Sequence, residues 1–464
     1  MFSLELLKDR EVLQKIKKLA IPSIIEEALA VIVLYVDTAM VGAIGANASA
    51  SVGLTSTTNW LVYSPMWAFA VGFLATISQA LGAQDEERAR KAGKHAIYAS
   101  IFIGILLMII TLSIARRLPV WLGADIEIID DAGIYFSIIS APMLFRATST
   151  ILGAVLRASG DTRTPMLVNA IVNVLNIILN FLMIDVPFIW TIGSLSIPIY
   201  RMGLGVKGAA IATAISVTVG GILMFVAYYK HPVISCKGET IHYDPQIMQD
   251  ILRIAFPVAL ERIAHSSGQV VFTGLVARLG TISVAAHSIA LTAEEAFYIP
   301  GYGMQTAAST LAGNAVGERN EQKLMKTSQT IMLLAFLAMT IMGGILFLFA
   351  SPIMQIFTPD PEVIIRGAMA LRIVAVSEPI FGVLIILQGV FDGVGDTKFP
   401  FIISTFTMWG IRLLFTHIAL TYLHGTLNSV WICMVIDNTT RCLIYALRFN
   451  DQKWRKKFIY IESN

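Results

Sequence analysis

Leu19–Gly45, "LAIPSIIEEALAVIVLYVDTAMVGAIG", and Ile254–Gly280, "IAFPVALERIAHSSGQVVFTGLVARLG", are two copies of one design. Laid over each other without a gap, they put Pro22 on Pro257, Glu26 on Glu261, Thr38 on Thr273 and Gly45 on Gly280, an offset of 235 residues. The match continues downstream. Gln79 and Gly82 of "ISQALGAQDEERARKA" meet Asn314 and Gly317 of "LAGNAVGERNEQKLMK", and Gly160-Asp161-Thr162 meets Gly395-Asp396-Thr397. A repeat of this length marks a duplicated architecture. Each copy holds six apolar windows, and an even number keeps both copies in the same orientation, so the relating axis runs along the membrane normal. The expected fold is an all-α polytopic membrane protein with 12 transmembrane helices in two six-helix lobes flanking a cleft.

Composition agrees with a membrane solvent. Charged residues make up 14% of the chain, against about 25% in soluble proteins. Windows of about 20 apolar residues fall near 20–43, 52–80, 95–115, 130–156, 165–185, 204–228, 251–279, 285–315, 327–350, 367–391, 399–423 and 427–447. The opening "MFSLELLKDREVLQKIKK" is too charged for the core of a cleavable signal, so the first span is expected to be retained. The pattern divides into a first lobe at 1–229, an interlobe linker at 230–248, a second lobe at 249–448 and a basic tail at 449–464.

Lys and Arg collect in the N-terminal segment, in "DEERARKAGKH", in "GERNEQKLMK" and in "RFNDQKWRKK", while "AIGANASAS" and "YLHGTLNS" carry none. Arg116, Arg117 and Arg278 break the pattern, but the asymmetry predicts both termini in the cytoplasm of a plasma (inner) membrane. Cys236, Cys433 and Cys442 have neither a disulfide framework nor metal-ligand spacing, and no redox or metal site follows from them.

Charges inside such spans cost at least a few kcal/mol at the bilayer centre and mark function or pairing. Asp37 and Glu26, eleven residues apart, return to nearly the same helical face about 16 Å along the axis. Glu26 reads either as an interface carboxylate or as a member of an interior proton relay; Asp37, further in, reads as functional. Glu27 points about 100° away. In the second lobe Glu261, His265 and Gln269 recur every four residues, His265 being either an interhelical hydrogen-bonder or a relay partner of Glu261. Glu294 and Glu295 lie mid-span, ahead of Pro300, Gly301 and Gly303, which loosen the helix, and at least one of them is expected to face the cleft. Asn169, Asn173, Asn176 and Asn180 stack on one face, as interhelical glue or as the wall of a hydrated cavity. Arg146, Arg412, Asp437 and Arg441 read as structural pairs.

Catalytic readings find little footing. "GVGD" at 393–396 resembles the short motif of intramembrane aspartyl proteases, but its repeat copy "ASGDTRTP" is a turn in which Gly ends one helix and Asp-Thr caps the next. No HExxH or phosphate-cradling loop is present, so the energy source is an ion gradient or a partner, and an enzyme is not expected.

With "P…E…VDTAMVGAIG", "SQALGAQDEERARKA", "LRASGDTRTP" and "IPGYGMQTAASTLAGNAVG" in order, nearly the whole chain resembles the multidrug and toxic compound extrusion (MATE) transporters, and its second half the NorM-like branch. That resemblance implies an antiporter in which Na⁺ or H⁺ drives export of amphipathic, often cationic compounds by alternating access, without a cofactor. It implies a coupling-cation site, with Na⁺ as one occupant, at Asp37. DinF-type members carry an aspartate where Asn180 stands, and NorM proteins a carboxylate about one turn beyond Glu261, where His265 stands. The expected coupling residues are Asp37, Asn176, Asn180, Glu261 and Glu294, with Glu26 and His265 as relay candidates and occupancy changing as the lobe bends at Pro22. Asn173, Gln269, Glu295, Tyr298, Tyr302 and Met304 are expected to line the substrate cleft, with Trp60 and Trp67 near it. Expected partners are small organic substrates and membrane lipid, not nucleic acid, and the working unit is expected to be a monomer. A flippase for lipid-linked precursors is the rival reading; an intramembrane enzyme is a remote one.

Overall fold

The computed structural model describes residues 4–184, 188–192, 195–199, 201–235 and 243–459. Its first half contains α1 (Arg10–Gly42), α2 (Ala46–Gly82), α3 (Glu86–Ile114), a one-turn α4 (Leu118–Trp121), α5 (Ile126–Ser140), α6 (Met143–Ala158), α7 (Arg163–Met183) and α8 (Gly205–Lys230). Its second half contains α9 (Pro245–Ala277), α10 (Thr281–Glu295), α11 (Ile299–Gly317), α12 (Glu321–Phe357), α13 (Pro361–Ala375), α14 (Glu378–Val394), α15 (Lys398–Thr407), α16 (Leu414–Tyr422), α17 (Leu427–Asn450) and α18 (Gln452–Ile459). The Gly- and Pro-rich excursion of the first lobe folds into an antiparallel hairpin of β1 (Phe188–Ile192) and β2 (Leu195–Ile199). Among the described residues, every other regular element is helical.

Among the described residues, eight helices are long and apolar enough to cross a bilayer, or ten if each of two bent pairs is one span. The bends fall between α5 and α6 (49°) and between α13 and α14 (59°), inside the windows read as continuous at 130–156 and 367–391. Pro142 and Pro379 stand at these bends, each removing a backbone donor from the ladder. The other two expected spans are α9, which carries Arg253, Glu261 and Arg262 on 33 residues, and the pair α10 and α11, joined by a 3₁₀ turn at Ala296–Tyr298 just before Pro300. The eleventh span also yields: a π-helical stretch, Met408–Leu413, separates α15 from α16.

Duplication extends to the turns. Asp9 caps α1 through Glu11 and Val12 N–H, and Asp244, 235 positions on, caps α9 through Gln246 and Ile247 N–H. Asp85 and Asn320 cap α3 and α12 in the same relation. Gln84 and Arg319, one residue earlier in each copy, both hold positive φ (59° and 54°). Gly160 and Gly395 end their helices at φ 87° and 88°, as the turn reading of "GD" requires. Thr162 and Thr397 each donate a hydroxyl back to the first helix of their own lobe, at Lys18 O (3.2 Å) and Ile254 O (2.8 Å). The aspartates diverge: Asp161 caps α7 through Thr164, whereas Asp396 accepts from Arg448 (3.0 Å) and from the Trp454 indole (2.7 Å). The basic tail is thus docked, with Trp454 buried against Phe391 and Phe449. Linker residues 236–242, with Cys236, lie outside the described residues; α9 already begins at Pro245, inside the expected linker.

The lobes meet along one seam. α1 packs on α11, and α2 packs on α9, α11 and α14. Backbones touch at glycines near the end that carries both termini: a Cβ on Gly317 would stand 2.0 Å from Gln79 O, and one on Gly82 2.2 Å from Asn314 O. Gln79 spans the seam and donates to Gly393 O (2.8 Å) and Val394 O (3.1 Å). Ile16, Leu19 and Ala20 of α1 belong to the hydrophobic core of the second lobe, so the first helix is shared. Toward the far end the two lobes are bridged by Tyr35, whose hydroxyl donates to Thr292 O (3.0 Å).

Candidate functional site

α1 and α7 run side by side in the same direction, and the asparagine face of α7 meets the acidic face of α1 at two heights. Near the terminal end Asn169 Nδ2 donates to Glu26 Oε1 (2.6 Å), and Arg157 Nη1 pairs with the same oxygen (3.1 Å). Eleven residues along both helices Asn180 Nδ2 donates to Asp37 Oδ1 (2.6 Å) and to Asn176 Oδ1 (3.2 Å). Asn176 donates to the Thr213 hydroxyl of α8 (3.3 Å). Turning its carboxamide brings its nitrogen 2.8 and 3.2 Å from the two Asp37 oxygens, as a donor to both; the orientation of such an amide is an assignment. Asn180 is 1% exposed and its Oδ1 has no hydrogen-bond partner among the described residues.

The two rungs are chemically different. Glu26 is neutralised by a guanidinium. Asp37 has no Lys, Arg or His within ion-pair distance among the described residues, only carboxamides. A carboxamide offers both a donor and an acceptor, so the wall around Asp37 can hold a bare carboxylate through N–H and, after amide rotation, a bound cation or proton through C=O. Asn173, on the same stripe, is half-buried.

The second lobe holds two acidic groups rather than one. Glu261 is joined by Gln388 Nε2 (3.4 Å), which also donates to Asp392 Oδ1 (3.2 Å), while Tyr445 OH donates to Gln388 Oε1 (3.0 Å). The Glu261 and His265 side chains form no hydrogen bond with each other among the described residues. His265 sits instead in the field of Arg441, Arg412 and Asp437. The latter three form the expected structural network: Arg412 Nε lies 2.7 Å and Arg441 Nη2 2.8 Å from Asp437 Oδ2, with Arg412 Nη2 on Asn438 Oδ1 (2.9 Å). Arg146 departs from that expectation, stacking over the Tyr63 ring (4.6 Å) with no carboxylate partner among the described residues.

The second acidic group lies deeper. Glu294, 1% exposed, accepts from the Tyr298 hydroxyl, and Glu378 at the start of α14, fully buried, has neither carboxyl oxygen hydrogen-bonded among the described residues. Glu378 lies within electrostatic range of Glu294. Glu295 points the other way, exposed and within the field of Tyr35. Tyr298 is therefore turned into its lobe, against Phe381 (4.6 Å), while Tyr302 is 41% exposed. Gln269 is half-buried on α9. Met304, 5% exposed, belongs to the hydrophobic core of the second lobe, which Ile16, Leu19 and Ala20 of α1 also join.

Sequence reasoning missed Glu378, Gln388, Asp392 and Arg262. Glu378 stands in "SEP", which reads as an ordinary helix start, and Asp392 is overshadowed by the neighbouring "GVGD". Arg262 was findable: it occupies the repeat position of Glu27, a reversal of charge between the lobes.

Residues 22–182 and 257–418 match the MatE family model, the two blocks opening on the paired prolines Pro22 and Pro257. The chain is 29% identical to the probable multidrug resistance protein NorM of Thermotoga maritima over 97% of its own length and 94% of that protein. It is 23% identical to the uncharacterized transporter YisQ of Bacillus subtilis over 94% of each. A crystal structure of MATE in the straight conformation superposes with a TM-score of 0.85 at 25% identity, covering 96% of both chains. The two-lobed helical fold, the paired motifs and these matches agree: the chain belongs to the MatE family, the multidrug and toxic compound extrusion transporters.

Proposed function

We propose that this membrane transporter is a cation-coupled antiporter that exports amphipathic organic compounds by alternating access, with Na⁺ or H⁺ as the coupling ion at Asp37. The single observation that carries the reading is a carboxylate inside lobe one that, among the described residues, is held only by carboxamides, Asn180 at 2.6 Å and Asn176 beside it, with no cation as a fixed partner. Its repeat position is Phe272, so the charge is no part of the duplicated scaffold. An intramembrane charge without a partner is a functional group by default.

In this reading the ion neutralises Asp37 and lets Asn176 and Asn180 present their oxygens. That rearrangement shifts the packing of α1 against α7 and α8 and, because α1 also belongs to the core of the second lobe, biases the seam between lobes. By linkage, substrate and ion then weaken each other's binding. α1 runs unbroken through Pro22, which lacks a backbone donor and leaves the helix easy to bend there. Glu294 and Glu378, both buried and within electrostatic range of each other, form a second site at which a proton or a cation offsets two like charges. Glu261, with Gln388 and Asp392, is a third acid-rich locus, where α9 meets α14 inside the second lobe. No enzymatic step is part of this function. The transporter works as a monomer in the plasma membrane with both termini in the cytoplasm, which makes the glycine seam the cytoplasmic gate, closed in this structure.

The test is efflux from proteoliposomes under an imposed pH gradient and then under an imposed Na⁺ gradient, for the native chain, Asp37→Asn and Glu261→Gln. One gradient should drive efflux and Asp37→Asn should abolish it. Undiminished gradient-driven efflux in both variants would sink the coupling assignments.

A further inference from the structure

One face of α2 carries Trp60, Tyr63 and Trp67 at helical spacing, near the middle of a 37-residue helix. Trp60 and Trp67 lie 5.1 Å apart. Two guanidiniums rest on this stripe: Arg146 from α6, in the first lobe, over Tyr63 (4.6 Å), and Arg262 from α9, in the second lobe, over Trp67 (4.8 Å). Tyr63 and Trp67 are one turn apart, so the two charges are brought near each other from opposite lobes. A guanidinium stacked on a ring uses its face; its five N–H donors lie in the plane and remain to be satisfied. Neither arginine has a carboxylate within ion-pair distance among the described residues, and the buried Nε of each has no hydrogen-bond partner. Glu261 and Asp392 act on Arg262 at longer range. Both arginines, Tyr63 and Trp67 are half-buried and Trp60 is exposed, and because one arginine comes from each lobe, the stripe lies where the two lobes face each other.

We infer that this junction is a substrate subsite for an aromatic body carrying an acid group, above all a carboxylate. The carboxylate accepts in-plane N–H bonds from Arg146 and Arg262 while the ring stacks on Trp60 and Trp67. Two forked donors on either side of one carboxylate match its geometry, and charge-assisted bonds of this kind are about twice as strong as neutral ones. The arginines come from different lobes, so a bound acid joins the lobes and a change in their spacing releases it. The cleft is then bipolar, with guanidiniums over α2 and the exposed Glu295 beside Tyr35, and it accepts zwitterions as well as acids. The subsite rests on the transport reading of the cleft, but its test is equilibrium binding without any gradient, so a failure of ion coupling leaves it standing.

Rhodamine 110, with a free carboxylate, and rhodamine 123, its methyl ester, differ at that group alone. Fluorescence polarisation on the purified full-length chain in neutral detergent should show the acid binding at least about tenfold tighter, one charge-assisted interaction's worth. In Arg146→Gln/Arg262→Gln the ratio of the two dissociation constants should collapse toward one, and in Arg146→Lys/Arg262→Lys, which keeps both charges, part of the preference should return. Equal or tighter binding of the ester by the native chain overturns the inference whether or not the variants fold, as does a preference that survives in the glutamine pair. Displacement of rhodamine 110 by dihexanoyl phosphatidate at lower concentration than by 2-naphthoate also overturns it, in favour of a lipid phosphate.

Discussion

Asn180 holds Asp37 across 2.6 Å, and eleven residues earlier on the same two helices Asn169 holds Glu26 across the same 2.6 Å. The rungs match in spacing and in donor and differ in the third member. Arg157 closes the Glu26 rung, whereas carboxamides alone close the Asp37 rung. A guanidinium ties the first rung, whereas among the described residues no cation ties the second.

Removing both members of the Asp37 rung should cost no more than removing one. Asp37→Asn is expected to cut gradient-driven efflux by more than about tenfold, the worth of a hydrogen bond to a charged group. Asn180→Leu should lower it by a similar factor, and the double variant should be no worse than Asp37→Asn. A double-mutant cycle of efflux rates in proteoliposomes measures that coupling.

Asp437 neutralises two buried arginines at once, so its loss should be severe for folding and indirect for transport. Asp437→Asn leaves Arg412 and Arg441 without their common carboxylate. About 3–5 kcal/mol of destabilisation is expected, read as a fall in melting temperature in detergent.

The seam between the lobes tolerates no side chain at Gly317. A Cβ there meets Gln79 O at 2.0 Å, so Gly317→Leu should force the terminal ends of the lobes apart at a cost of at least about 1–3 kcal/mol. Spin labels placed on Glu86 and Glu321 should report a longer mean distance in the variant than in the native chain.

The tail is part of the fold. Trp454→Ala removes a buried indole and its bond to Asp396, and a loss of about 3–5 kcal/mol is expected from an aromatic truncation of this kind. Chymotrypsin should cut the tail of the variant faster than that of the native chain.

His231, just past the end of α8 and outside the spans, sits between the Ser159 hydroxyl and the Val233 amide, and burial lowers its pKa below the ordinary 6.5. The folded state therefore binds this proton less readily than the unfolded chain. Stability from this group is full above about pH 6.5 and is lost as pH falls through the folded value. Thermal melts of the native chain should drop more steeply between pH 7 and pH 5 than those of His231→Asn.

Periodicity and repetition carry far in this chain because they are local or self-referential. Apolar windows announce spans in any membrane protein, and a second copy exposes which residues belong to the scaffold. The pairing of Pro22 with Pro257, the turn role of Gly160 and Gly395, and the absence of a repeat partner for the Asp37 charge, with Phe272 in its place, are all readable from one line of sequence. The MATE resemblance was legible for the same reason. What the line does not contain is direction across space. Glu294 and Glu295 are adjacent letters, yet one is buried, within electrostatic range of Glu378 84 positions away, and the other is exposed. Arg146 read as half of an ion pair and instead lies on a tyrosine ring, because its helix, beginning after the bend at Pro142, packs beside α2 and meets an aromatic there, not an acid. Met304 read as a cleft residue and is buried in the core of the second lobe. The sequence by itself determined the membrane solvent, the two lobes and the charge that scaffold alone does not explain. Only the tertiary structure decided which polar groups meet, because those encounters join residues far apart in the chain and turn on helix bends and rotations that no local pattern encodes.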